Sequence, residues 1–262
     1  MKINVRNISF RYTDKPIFAN LSIELEGGDR PLVILGPSGS GKTTLLKLLG
    51  GLLNPDDGEI FYSDTGMAKA PETAFMFQES RLLPWLTVLE NISLPLTKIF
   101  GREEGRVRAR QFLSLVSLAD REETYPGQLS GGQAQRVSMA RAFAWPAPAL
   151  FMDEPFQSLD VPLRISLMEN CLSLLEKENF IEKEKFFKKE NFLEKKRLVI
   201  AVSHDPREAI FLGARVVILG QAGEGVVYDR NLQLSAEDRA YGSSAARELE
   251  REMVEVLRGS LC

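Results

Sequence analysis

The sequence predicts an α/β fold: a mainly parallel sheet, an antiparallel β subdomain beside it, and a helical subdomain inserted between strands. In the second half of the chain, strand-sized apolar runs are separated by helix-length segments, the pattern of right-handed crossovers between parallel strands. The early runs follow one another too closely for such crossovers, which predicts an antiparallel lobe. A stretch from Thr87 to Ala144 offers no strand at all. With 262 residues, 44% of them hydrophobic and 26% charged, the chain can bury a real core, and it reads as one elaborated domain over 1–262.

In order, strands are expected at Ile3–Phe10, Leu21–Leu25, Leu32–Leu35, Glu59–Tyr62 and Ala74–Phe77 from alternating or continuous apolar residues. Three helix-like blocks follow, around Val88, Val107 and Val137, the last running up to Trp145 and Pro146; together they form a helical subdomain over about 87–145. Further strands are expected at Leu150–Asp153, Leu198–Ser203, Val216–Leu219 and Gly225–Tyr228, and a helical tail occupies about 230–262. Between Leu163 and Asp205 there is neither Gly nor Pro, so a helix beginning near Pro162 has nothing to break it. It leads into a charged insertion over about 176–197, EKENFIEKEKFFKKENFLEKKR, in which KENF at Lys177 returns at Lys189. A solvated surface extension is the simplest reading of that duplication, and a partner-docking surface is the alternative.

Charge and composition exclude several roles. Lys plus Arg at 33 against Asp plus Glu at 36 leaves a net charge of −3, which provides no global basic field for nucleic acid. The longest apolar runs, such as LVIAV after Arg197, fall far short of the roughly 20 residues that span a bilayer, so at a membrane another chain must supply the spans. MKINVRNISF alternates like a strand and has no apolar signal core. The two cysteines, Cys171 and Cys262, have no metal spacing, and a reducing cytoplasm suits them.

GPSGSGKTT, Gly36 to Thr44, follows the apolar strand PLVIL and runs into the helix-like KTTLLKLLGGL. This strand–loop–helix context is the one a phosphate-binding P-loop requires. Gly36, Pro37, Ser38, Gly39, Ser40 and Gly41 turn backbone N–H groups inward at a helix N-terminus, where unpaired donors and the helix dipole favour an anion. Lys42 adds a point charge for β and γ phosphates, and the hydroxyl of Thr43 suits magnesium, with Thr44 next in the loop. ALFMDEP supplies the carboxylates such a site needs: Asp153, at a strand end, to hold the metal's water shell, and Glu154, just beyond, to accept a proton from an attacking water. His204, the only histidine, stands at another strand end, where its imidazole can donate to a γ phosphate. Gln78, after the strand AFMF, is placed to reach a magnesium or water ligand.

A second glycine-rich segment, LSGGQ at Leu129–Gln133, needs another explanation. The P-loop, Gln78, LSGGQAQR, LFMDEP, SLD at Ser158–Asp160 and His204 occur in the order seen in ABC-type ATPases, and the chain resembles that family from about Lys2 to Asp229. The resemblance implies an ATPase using ATP and Mg2+ and working as a head-to-tail homodimer. In it, Ser130, Gly131, Gly132 and Gln133 of one chain face the γ phosphate held by the P-loop of the other, with Asp160 aligning that facing loop. Tyr12 matches the aromatic that stacks on adenine, although a tyrosine of the β lobe can equally be packing. YPGQLSGGQ resembles the approach to the signature in importers, and QESRLLPWLTVLENI is similar to import ATPases for nitrate, sulfonates, taurine and related solutes. That resemblance implies separate permease subunits, docked at Leu82, Leu83, Pro84 and Trp85, an indirect link to a periplasmic or lipoprotein solute-binding protein, and a peripheral position on the cytoplasmic membrane face. A buried Trp85 is the alternative for that segment. A soluble ABC ATPase of DNA repair or translation is the competing function; such relatives usually carry paired ATPase domains or a coiled-coil insertion.

Overall fold

The computed structural model describes residues 1–63, 70–157, 159–181 and 197–260, with backbone alone for 176–181. Ser158, Cys262 and residues 182–196 of the charged insertion lie outside the described residues.

Two sheets organise the chain. The first is antiparallel, β2–β1–β4, built from β1 (Lys2–Arg11), β2 (Pro16–Glu26) and β4 (Asp57–Tyr62). The second has the order β5–β6–β7–β3–β8–β9, where β3 is Leu32–Leu35, β5 Thr73–Met76, β6 Ala149–Asp153, β7 Leu198–Val202, β8 Arg215–Leu219 and β9 Val226–Asn231. All of its neighbours pair in parallel except β8 and β9. The expected α/β architecture, with an antiparallel lobe beside a mainly parallel sheet, is therefore present.

Continuous apolar strands are what a sheet covered on both faces demands. Val33, Leu35, Leu150, Met152, Val199, Ala201, Val216 and Ile218 point into one core. Their alternating neighbours Leu32, Ile34, Phe151, Leu198, Ile200, Val202, Val217 and Leu219 point into the other, which they share with the β lobe. The helix α1 (Lys42–Leu49) covers this second face through Leu45, Leu46, Leu48 and Leu49.

On the first face lie α2 (Val88–Phe100), α3 (Arg102–Leu115) and α4 (Gly131–Ala144), the three helices expected over 87–145, and with them α5 (Val161–Ile181) and α6 (Pro206–Leu212). Thr87 starts α2 with a reciprocal cap: its hydroxyl accepts from Glu90 N, and Glu90 accepts from Thr87 N. The tail forms α7 (Ala236–Arg239) and α8 (Ser244–Gly259), whose Ala246, Leu249 and Met253 return to the first core.

Two strand ends differ from expectation by three residues or more. The second strand begins at Pro16, ahead of Leu21, because left-handed Asn7 (φ 49°) and Asn20 (φ 58°) bulge the β1–β2 ladder and break its alternation. The ninth continues past Tyr228 to Asn231, held by a two-pronged contact of Arg215 with Asp229 at 2.7 and 2.6 Å. Among the described residues, no helix is long and apolar enough to cross a membrane.

Candidate active site

The carboxyl ends of β3, β5, β6 and β7 open at one edge of the sheet, because parallel strands joined by crossovers all finish on the same side. From β3 the chain enters the glycine loop and α1. Gly39 (φ 82°) and Gly41 (φ 93°) occupy the left-handed region, and a Cβ on Gly41 would strike the side chains of Ile17 and Phe18. Lys42 curls back over the loop, its Nζ donating to Gly36 O at 2.9 Å and Pro37 O at 3.0 Å. Burial pulls its ammonium below the usual lysine range, against the opposing pull of Glu154 and Asp153. Ser40 Oγ is buried in the same loop without a hydrogen-bond partner.

Thr43 joins this loop to the end of β6, its hydroxyl donating to Asp153 Oδ1 at 2.8 Å. Burial pushes the Asp153 carboxyl up and Glu154 adds to the push; the Thr43 bond and the charges of Lys47 and Lys42 work the other way. Glu154 adopts a left-handed backbone (φ 45°) that a side chain rarely takes, and its N–H is tied to Val202 O at 3.1 Å. Glu154 Oε2 lies 3.3 Å from Nδ1 of His204, which the end of β7 brings in from the neighbouring strand. Gln78 comes from the end of β5, and its amide donates to Gln157 Oε1, in the loop following Glu154. Residues 42, 43, 78, 153, 154 and 204, far apart in sequence, thus share one edge.

Tyr12 stands beside α1. Its hydroxyl accepts from Thr44 at 3.4 Å and its ring meets Phe10 edge-on at 4.9 Å, yet it is 58% exposed. The packing alternative therefore accounts for one ring edge only.

The LSGGQ segment is built differently. Ser130 caps α4, its Oγ accepting from Gln133 N at 3.3 Å while Gln133 Oε1 accepts from Ser130 N at 2.9 Å. Ser130 and Gly131 are exposed, and a Cβ on Gly132 would crowd Leu163 at 2.6 Å. Among the described residues no hydrogen bond joins 129–133 to the P-loop. Asp160 is exposed just before α5, its carbonyl accepting from Arg164 N at 2.9 Å.

Residues 18–157 match the family model described as ABC transporter, more than half of the chain. The chain belongs to the ABC transporter family. Over 251 residues it is 34% identical to the aliphatic sulfonates import ATP-binding protein SsuB 2 of Pseudomonas aeruginosa (strain UCBPP-PA14), which covers 95% of this chain and 82% of that protein. The corresponding SsuB of Yersinia pestis bv. Antiqua (strain Antiqua) is 36% identical over 254 residues, 97% of this chain and 84% of its own. Among solved structures, the dimeric post-hydrolysis state of the ATP-binding cassette MJ0796 bound to ADP and Pi aligns with a TM-score of 0.69 at 28% identity, over 89% of this chain and 100% of that one. The chain is an ABC ATPase.

Within the ABC fold, three side chains to which the motifs gave no role of their own tie these segments together. Gln135, buried in α4, donates to Pro155 O at 2.7 Å and so ties the signature helix to the loop after Glu154. Arg141, on the same helix, reaches Ser80 O at 2.8 Å and Arg81 O at 3.0 Å, beside Gln78; burial lowers its guanidinium below the usual range. Asn91, in α2, fixes the LLPWL turn, donating to Leu83 O, Leu86 O and Thr87 O and accepting from Leu83 N at 2.7 Å. Leu82 packs against the core from that turn and Leu83 is half-buried, while Pro84 and Trp85 face outward. The buried alternative for Trp85 is overturned, since the residue is 69% exposed. Gln135 lies within LSGGQAQR and Arg141 follows on the same helix, but their long-range partners had no sequence mark.

Proposed function

We propose that this ABC ATPase powers an importer for a small solute of the nitrate, sulfonate or taurine class, as a peripheral subunit on the cytoplasmic face of the membrane. The relatives' names, as import ATP-binding proteins for aliphatic sulfonates, support the transport direction and the solute class. Separate permease subunits would supply the membrane spans and dock at the turn of Leu82, Leu83, Pro84 and Trp85, of which the last two are exposed, with a solute-binding protein engaged only through them.

In this reading Glu154 is the general base for the water that attacks the γ phosphate. His204, 3.3 Å away, holds that phosphate and Lys42 neutralises β and γ oxygens. Gln78 orients the water. Tyr12 stacks on the adenine. Magnesium fits the oxygen donors: the Thr43 hydroxyl and Asp153 carboxylate meet at 2.8 Å on the same edge, the hard pair that Mg2+ prefers. When bound, it would offset phosphate charge.

The observation that carries the dimer is the separation of two anion loops. The P-loop is cross-braced to β6, whereas Ser130 and Gly131 lie exposed and share no bond with it. Two copies placed head to tail would enclose two ATPs, each between one P-loop and the partner's Ser130, Gly131, Gly132 and Gln133, with Asp160 alongside. Single cysteines at Ser38 in one tagged chain and at Ser130 in another test this, in a Glu154→Gln, Cys171→Ala, Cys262→Ser background. A disulfide needs Cα atoms within roughly 7 Å, so ATP-dependent heterodimers are expected. An internal disulfide in a chain carrying both cysteines, with no heterodimer from several neighbouring pairs, would place both loops on one nucleotide and end the dimer reading.

A further inference from the structure

Behind His204 lies a second polar cluster that the catalytic motifs do not explain. Asp205 caps α6, accepting from Arg207 N at 2.9 Å and gripping the Arg207 guanidinium through both oxygens. Ser203 Oγ donates to Glu208 Oε2 at 2.5 Å and accepts from Asp205 N at 3.0 Å. Into this cluster comes Arg164, from the first turn of α5. Its NH1 donates to Asp205 Oδ2 at 3.0 Å and lies 3.6 Å from Glu208 Oε1, while its NH2 donates to Leu159 O at 3.1 Å. The arginine side chain is 19% exposed, and both carboxylates are more buried still.

A mostly buried ion pair adds little net stability compared with apolar packing, because desolvation offsets the attraction; its firmer consequence is a fixed geometry. Here the fixed pieces are the residues on either side of His204 and the carbonyl immediately before Asp160. We propose that Arg164 is a positioning residue for ATP hydrolysis. One planar guanidinium holds Asp205, and through the Ser203–Asp205 backbone the His204 imidazole, where it meets Glu154. The other arm fixes Leu159, so the segment facing the chain's own nucleotide and the segment facing the partner's are set in one register. The two acceptors are met by different nitrogens of the group, NH1 and NH2. A guanidinium reaches both, and an ammonium, a point donor on a flexible stem, does not.

The proposal rests on the role given to His204 above, and the single histidine of the chain provides a test that does not depend on turnover. With histidine labelled by 13C, the full-length protein has one imidazole signal. In Arg164→Lys that signal is expected to move at constant pH, while kcat falls about 10-fold to 100-fold, the usual cost of misplacing a reacting group by an ångström or less. KM for Mg-ATP and the thermal midpoint should change little. Asp205→Asn keeps the helix cap and loses the ion pair, so it should move the same signal, and the double variant should lose no more kcat than either single one. It also carries the comparison if Arg164→Lys does not fold. Unchanged kcat, a fall in kcat with the imidazole signal in place, or a parallel loss of nucleotide affinity would overturn the assignment. Absence of ATP turnover in the unaltered protein would instead sink the functional reading, while the imidazole signal still reports whether Arg164 places His204.

Discussion

The P-loop edge and the LSGGQ segment are both glycine-rich helix starts, yet they meet their polar obligations in opposite ways. The first is inward and cross-linked: Lys42 on loop carbonyls, Thr43 on Asp153, Glu154 beside His204. The second satisfies itself, Ser130 and Gln133 capping each other at an exposed helix end. Much of an active site is assembled within one chain at the first. At the second the chain presents an exposed helix end that is already capped. Cross-bracing at one loop and exposure at the other suit the head-to-tail pairing proposed above.

The sharpest break of this comparison lies at Glu154. Glu154→Gln should bind Mg-ATP and hydrolyse it at least about 100-fold more slowly, since general-base help is typically worth 10² to 10⁴; near-normal turnover in a phosphate-release assay would remove Glu154 from the chemistry. Lys42→Ala should act earlier, weakening ATP affinity roughly 10-fold or more through loss of hydrogen bonds to a charged ligand, at about 1.5–3 kcal/mol. Unchanged affinity in a nucleotide titration would argue against the loop's role.

At the signature, the two variants Ser130→Ala and Ser130→Asn separate capping from phosphate contact. Alanine should lower stability by about 0.5–2 kcal/mol, the cost of an N-cap, and asparagine should restore it. If the hydroxyl serves a partner's phosphate, the asparagine variant regains its thermal midpoint without regaining turnover; recovery of both would make Ser130 a cap and nothing more.

The smallest effect concerns acid. Burial pushes the Asp205 carboxyl up, but its bonds to Arg207 and the charges of Arg207 and Arg164 outweigh this and hold it below the usual range. A depressed folded value means its stabilisation is present above the unfolded carboxylate range, near pH 4, and is lost as pH falls through the folded one. Asp205→Asn should therefore flatten the decline of the thermal midpoint below about pH 4; an unaltered decline would show that Asp205 is not among the groups that set it.

The fold was legible where physics is local. The parallel strands announce themselves because a sheet covered on both faces needs unbroken apolar runs, those of the β lobe because they alternate, and the early boundary furthest misplaced, at Pro16, fails where two left-handed asparagines interrupt that alternation. The catalytic candidates were legible because phosphate chemistry restricts residue type and spacing together. Gln135 and Arg164 were not, since each acquires meaning from a carbonyl or carboxylate brought near only by folding: Pro155 is 20 residues from Gln135, and Asp205 is 41 from Arg164. Asn91 has partners close in sequence, Leu83, Leu86 and Thr87, but only the path of the turn aims their carbonyls at it. Trp85 was ambiguous for a related reason, as a tryptophan in a turn can point either way until its neighbours are placed.

Arg141 and Gln135 give α4 a property that neither loop has alone. One residue grips the segment after β5 and the other the segment after β6, two turns apart on the same rod. A helix held at one point can pivot; held at two, it keeps its direction. The two bonds therefore fix the line along which α4 runs, and with it the direction in which its exposed Ser130 end points.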